Sequence, residues 1–318
     1  MRLLTSPLAE LALNSQTKGA LFVMMAGLLW GTTGIIVKAI YAVTTIGPVS
    51  VSLFRLLVAL PFLAGLVMMK RYDLSMTRRE LVLFAGFGFC SLTIFVLLYF
   101  TSFTYTTVQH AAALLYTAPA FVALLSWIIL KERMTRAKVT AVALSVLGAL
   151  LIVGVLRGGQ LFGSRTQIGD WLALVSGMAY SSWYIFGKVL GRNREPAVVC
   201  FVGMCFGALF LFLIAVAAGE LQIPNGAIAW ELLVLLGLVP TALAYLCYFA
   251  GLRLIDATRA SVFAIIEPVT AVILGFLLLQ ETLSYDSILG FTLIVSSILL
   301  ISLTANSTRL EARRPIIE

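Results

Sequence analysis

Two charged residues lie deep within apolar sequence, and their types suggest ion and proton chemistry. Arg55 stands about seven residues into the apolar run 48–69, roughly 10 Å from its edge at about 1.5 Å per helical residue. Glu267 stands about eight residues into the run 259–279, near its middle on the same arithmetic. A charge at such depth is costly and by default marks a functional site. On that reading Glu267 alternates between proton and substrate, and Arg55 anchors an anionic substrate group. The competing reading has Arg55 snorkelling outward or bonded to helix-end carbonyls, with Glu267 paired to a neighbouring hydroxyl.

Aromatic side chains supply the walls that such a site needs. Trp30, Tyr99, Tyr180, Trp183 and Tyr245 are expected to line a pocket with Arg55 and Glu267, while Tyr105 and Tyr248, near run ends, fit an interfacial belt. Tyr116 is a further cavity candidate. Pro119 and Pro268 each delete one helical hydrogen bond and free the carbonyls of Leu115 and Ala264. They are read as a hinge pair, with a simple bend as the alternative. His110, the lone histidine, has no partner for metal or nucleophilic chemistry and fits a solvated or capping role. Cys90, Cys200, Cys205 and Cys247 sit in apolar runs as small buried hydrophobes. No phosphate-binding loop, metalloprotease HExxH or GxSxG elbow occurs, so no enzyme activity, metal or cofactor is expected.

The elements that hold these residues follow from composition. Of 318 residues, 61% are apolar and 11% charged, and mean hydropathy is +1.05. Soluble chains run at roughly 45–50% and about 25%, so a soluble enzyme and a disordered chain are both excluded. Ten apolar runs are long enough to span a bilayer as helices: 19–38, 48–69, 80–100, 108–130, 139–156, 169–188, 197–218, 229–250, 259–279 and 286–304. The first is too long for a cleaved signal peptide. With a cytoplasmic N-terminus, Lys38, Arg157 and Arg165 fall outside and Arg55 within a span, which leaves 18 of the 22 basic residues inside. That asymmetry is a topology signal. It accounts for the net charge of +8 without any nucleic-acid partner, since no patch or aromatic platform accompanies it.

The chain also repeats itself. Residues 19–30 align on 169–180, which pairs Gly19 with Gly169, Gly27 with Gly177, Trp30 with Tyr180 and, further on, Lys38 with Lys188. Residues 118–135 align on 267–284, which pairs Pro119 with Pro268 and Glu132 with Glu281. Each copy holds five spans, an odd number, so the second copy must be inverted in the membrane. The matching loops agree: 70–79 carries four basic residues and 219–227 none. The expected architecture is an all-α polytopic membrane protein of ten transmembrane helices, two inverted five-helix repeats with both termini cytoplasmic. Its parts are an N-terminal segment 1–18, repeat 19–156, periplasmic linker 157–168, repeat 169–304 and tail 305–318.

Several of these residues carry a resemblance. Leu29-Trp30-Gly31-Thr32 followed by Lys38, Phe54-Arg55-Leu56 with Ala59, and the proline-to-glutamate stretches 119–135 and 268–284 are similar to the EamA family of the drug/metabolite transporter superfamily. The resemblance covers about 20–155 and 169–303. It implies a ten-span carrier of the inner (plasma) membrane that moves small organic solutes outward. The expected function is export of a small metabolite, an amino acid or related compound, by alternating access with proton coupling through Glu267. The alternatives are an uncoupled or uptake carrier, or a channel-like pathway. Movement is expected as rocking of one five-span half against the other. The partners are a small-molecule substrate and the lipid bilayer; one chain suffices for a pathway, with a homo-oligomer left open.

Overall fold

The computed structural model describes residues 15–130, 134–153, 164–191, 193–255, 260, 263–264 and 266–311. Glu132, Arg157, most of the linker 157–168, residues 1–14 and the end of the tail lie outside the described residues. Helices α1 (Ser15–Gly31) and α2 (Thr33–Val43) form one long segment, followed by α3 (Pro48–Met69). The next segment is α4 (Arg78–Phe87), a π-helical turn at Gly88–Ile94, and α5 (Phe95–Ser102). Then come α6 (Val108–Leu115), α7 (Ala118–Leu130) and α8 (Arg136–Val153). The second half holds α9 (Arg165–Leu190), α10 (Pro196–Ala217), α11 (Ala227–Gly237), a π-helical turn at Leu238–Leu243, and α12 (Ala244–Leu252). It ends with α13 (Ile266–Leu279) and α14 (Tyr285–Glu311). No strand occurs among the described residues. Among the described residues, five segments (15–43, 48–69, 78–102, 196–217 and 227–252) are long and apolar enough to cross a membrane. Outward-facing Phe62, Met68, Val82, Leu213 and Phe276 suit lipid contact better than water.

The repeat is visible in the packing. Helices α3 and α10 both start with proline at the first turn, where the missing N–H costs nothing. Both end in the same cap: Arg71 N donates to Met68 O and Tyr72 N to Val67 O, as Gly219 N does to Val216 O and Glu220 N to Ala215 O. The aligned glycines also meet equivalent partners. Gly19 packs on Leu254 and Ile255, and Gly169 on Tyr105 and Thr106. Gly27 packs on Ala264, Ile266 and Glu267, and Gly177 on Leu114, Leu115 and Thr117. Among glycines spaced four apart, Gly27 with Gly31 and Gly203 with Gly207 face close helix contacts, whereas Gly187 and Gly191 do not.

The repeats do not form two separate bundles. α1 packs against α12 and α13 of the second half, and α9 packs against α5 and α6 of the first. α3 pairs with α10, and α8 with α14. This corrects the expectation that one intact half rocks against the other, because such a motion would tear α1 and α9 from their principal contacts. The natural packing units are mixed: α1 with α12 and α13, and α9 with α5 and α6.

Loops gather at two ends. At one, the Arg194 guanidinium donates to Glu80 at 2.8 Å and to the Ser75 carbonyl at 2.7 Å, while Arg253 pairs with Glu195. The Ser75 hydroxyl and amide, with Arg194 nearby, hold the Asp73 carboxyl below its ordinary range. At the other end, Gly47 N donates to Gln222 and the Ser50 hydroxyl to the Glu220 carbonyl.

That second end also holds a capping site built by Glu281. Gln280 adopts a left-handed backbone (φ 54°), which turns the chain back after α13. The Glu281 carboxylate then accepts from the N–H groups of Val108 at 3.1 Å and Gln109 at 3.2 Å, and from Lys38 Nζ at 3.2 Å. It thus satisfies free donors at the N-terminus of α6, where negative charge is favoured. His110 is neither solvated nor a side-chain cap, contrary to expectation. Its ring bonds Asp170 at 3.3 Å and Ser287 at 3.0 Å, and Asp170, only 1% exposed, also accepts from Thr106 at 2.6 Å. The ring is held because α6 starts beside α9 and α14, whose second and first turns supply Asp170 and Ser287.

Two measurements of thermal unfolding in detergent check this account. Gly219→Ala, which forces a Cβ into the left-handed region (φ 66°), should destabilise by about 1 kcal/mol, whereas Arg71→Gly should stabilise by up to about 1 kcal/mol. Glu281→Gln should cost about 1–2 kcal/mol by removing the charge that caps α6 and pairs with Lys38.

Candidate functional site

Four interruptions of regular helix surround the centre of the molecule, and each releases backbone groups that need partners. In the third segment of the second half, Pro240 removes the donor that would reach the Leu236 carbonyl, and the Thr241 hydroxyl takes its place at 2.7 Å. The π-helical turn at Gly88–Ile94 has no proline; there Thr93 reaches Gly88 O at 3.0 Å and Gly207 O at 3.3 Å. Between α6 and α7 the helix breaks at Tyr116 and Thr117, just before Pro119 in the first turn of α7. The Leu115 carbonyl meets Gly177, where any Cβ would sit 2.9 Å away. At the start of α13, Pro268 leaves the Ala264 carbonyl without its regular helical donor; the Glu267 amide reaches it at 3.0 Å and the Tyr116 hydroxyl lies 3.1 Å from it. Pro119 thus stands just after a helix break and Pro240 within a π-helical turn, and such turns recur at functional sites.

These interruptions border a small central cavity. Trp30, Arg55, Tyr99, Tyr180, Trp183, Tyr245 and Glu267, all singled out from the sequence, line it together. Their origins alternate between the two mixed packing units. Trp30, Tyr245 and Glu267 come from α1, α12 and α13; Tyr99, Tyr180 and Trp183 come from α5 and α9. Arg55 enters from α3. The rings form one contiguous cluster: Trp30 meets Tyr245 at 5.6 Å between centroids, Trp183 meets Tyr245 at 4.8 Å, and Tyr180 stacks with Trp183 at 6.5 Å. Tyr248 belongs to this cluster too, 5.1 Å from Trp30 and buried. Its assignment to an interfacial belt is therefore wrong: it lies on the inward face of α12, which packs against α1.

Arg55 does not snorkel. It is 3% exposed, its Nη1 reaches the Thr241 hydroxyl at 3.3 Å, and its guanidinium lies 5.2 Å from the Phe100 ring centre. Its Nε and Nη2 find no partner among the described residues, nor do the indole nitrogens of Trp30 and Trp183. These four nitrogens are buried in residues that line the cavity. Its one carboxylate, Glu267, is 8% exposed and accepts from Tyr116 at 2.5 Å. Buried donors without acceptors carry a large desolvation cost, which an anionic or acceptor-rich occupant would relieve.

Thr33, Phe95, Val96, Phe100 and Pro240 complete the lining and were not expected from the sequence. Pro240 carries a partial signal, since a proline inside an apolar run removes one helical donor, although Pro61 does so within α3 without breaking it. Tyr116 was recognised as a cavity candidate, but its bond to Glu267 depends on the α6 break facing α13, a relation across 151 positions. Of the hinge prolines, Pro268 is buried beside Glu267, and Pro119 occupies the matching place in α7.

Known proteins give the site its context. An uncharacterized transporter of Clostridium kluyveri is 26% identical over 285 residues, covering 87% of this chain and 91% of its own length. One from Archaeoglobus fulgidus is 27% identical and covers 89% of this chain and 95% of its own. The uncharacterized inner membrane transporter YicL of Salmonella typhimurium is 26% identical over 92% of this chain and 97% of its own. A solved crystal structure shares the fold at a TM-score of 0.64 and 19% identity, over 91% of this chain and 98% of its own. The sequence model of the EamA-like transporter family matches residues 17–154 and again 167–303, one match for each helical repeat, and the protein belongs to that family of membrane transporters.

Proposed function

We propose that the protein is a secondary transporter that exports a small organic metabolite with an anionic group, an amino acid or related compound, across the inner membrane. The observation that carries this reading is the central cavity, where a buried arginine with two unused guanidinium nitrogens shares aromatic walls with a buried carboxylate. In a planar guanidinium, such nitrogens match a substrate carboxylate. The aromatic rings would enclose its apolar part. Glu267 carries the coupling proton: protonated, it leaves the positive charge of Arg55 uncompensated for an anionic group; ionised, it competes with an anionic substrate for Arg55.

The membrane arrangement in this proposal is ten spans with both termini cytoplasmic. The close approach of Arg194 to the 73–80 loop, and of the 47–50 loop to 220–222, supports it, because these contacts group the loops by the sides that basic residues suggest. Inner-membrane placement draws on the Salmonella relative's name. Alternating access would proceed between the two mixed packing units whose interface is the cavity, α1 with α12 and α13 against α9 with α5 and α6.

Counterflow of radiolabelled amino acids in proteoliposomes, with and without a pH gradient, tests the proposal. Wild-type transport should accelerate when the gradient supplies protons against export, and Glu267→Gln should transport at a rate indifferent to the gradient. A variant that still follows the gradient removes Glu267 from the coupling role; a wild-type protein indifferent to it makes the carrier facilitative. Arg55→Lys keeps the charge but loses the planar fork, so preference for amino acids over their decarboxylated amines should fall about ten-fold. Unaltered preference would exclude Arg55 as the carboxylate anchor.

A further inference from the structure

The Tyr116 hydroxyl lies between two acceptors that belong to the same helix break. Glu267 Oε2 is 2.5 Å from it and the Ala264 carbonyl 3.1 Å. Ala264 O is the carbonyl that Pro268 leaves without its helical donor; the Glu267 amide reaches it in a tight turn at 3.0 Å, and its other lone pair faces Tyr116. A phenol has one proton to donate. It therefore cannot fully serve both acceptors at once, and the charge on Glu267 decides which one it serves.

We propose that Tyr116 is the positioning residue that converts protonation of Glu267 into a change in the contact between the two packing units. This rests on the proton-coupling role of Glu267. With Glu267 ionised, the phenol proton goes to the carboxylate in a short, charge-assisted bond, which ties the α6 break to the first turn of α13. When a proton arrives on Glu267, the neutral carboxyl donates to the phenol oxygen, and the phenol proton turns to Ala264 O. No proton is gained or lost at Tyr116. The strong link is exchanged for a weaker one to a neutral carbonyl, and the bridge across the units loosens.

The location gives this exchange its leverage. Tyr116 ends α6, which packs with α9, whereas Glu267 and Ala264 belong to the region that packs with α1. Gly27 and Gly31 let α1 approach so closely that a Cβ on Gly31 would lie 2.9 Å from Glu267 O. Movement at this first turn is therefore passed to α1 and to Trp30 in the cavity wall. The groups that face Glu267 across the cavity are Arg55 from α3, Tyr99 from α5, Tyr180 from α9 and Tyr245 from α12. No aspartate, histidine or lysine lines the cavity among the described residues, so Glu267 is its one acidic group and Arg55 its one permanent charge.

Hydrogen–deuterium exchange of the full chain in lipid nanodiscs, corrected for intrinsic rates, tests this with protons alone as the probe. In the wild-type protein, protection at 112–120 and 266–270 should differ between acidic and alkaline pH. Tyr116→Phe should reduce that difference about five-fold, the worth of one hydrogen bond, while the pH response of transport also flattens. Pro268→Ala, which returns a helical donor to Ala264 O, removes the second acceptor by another route and should also reduce the difference. If both variants retain the wild-type difference while Glu267→Gln abolishes it, Tyr116 is not the converter and the coupling role of Glu267 stands. If Glu267→Gln retains it as well, the coupling role itself falls.

Discussion

No water reaches the hydrocarbon core to satisfy a backbone group that a broken helix releases. The centre of this protein is arranged around that constraint. Pro240 frees Leu236 O, and Thr241 covers it; Pro268 frees Ala264 O, and Tyr116 approaches it; the π-helical turn at 88–94 is covered by Thr93. The partner is local in the two π-helical turns and comes from the other repeat at Ala264. A helix can break at mid-depth here only because hydroxyls stand beside the break.

The same covering groups build the cavity. Thr241 serves Leu236 O and accepts from Arg55, so the device that repairs one helix also orients the buried guanidinium. Tyr116 serves the α13 break and donates to Glu267. Each of the two intramembrane charges is thus tied to the interruption of a helix in the second repeat. Their counterparts, Gly203 for Arg55 by the matching ends of α3 and α10 and Ala118 for Glu267 by the alignment of 118–135 on 267–284, carry no charge. The symmetric scaffold therefore holds an asymmetric site.

Interlocking follows from close approach. α1 and α9 carry aligned glycines, and each is inserted against the broken fourth or third segment of the opposite repeat. A larger residue at Gly27 or Gly177 would push its helix off the break it seals. This exchange of first helices is why the sequence halves are not the packing halves, and why the cavity lies between mixed units. Linear order carries no trace of it, because glycine at a contact reads the same whichever helix it meets.

The amino-acid sequence by itself determined the class of protein, the repeats and the seven cavity residues. Apolar run length answers to bilayer thickness, and a charge in such a run must be functional or paired. Reading failed where the answer lay between elements distant along the chain. His110 meets Asp170 and Ser287, Tyr248 faces Trp30, and Glu281 caps α6, each through elements far apart along the chain. Only the tertiary structure decided which hydroxyl covers which carbonyl, and hence that Tyr116 stands between Glu267 and Ala264. The reason is physical: composition fixes how many polar groups the membrane must hide, whereas the crossing of helices chooses their partners.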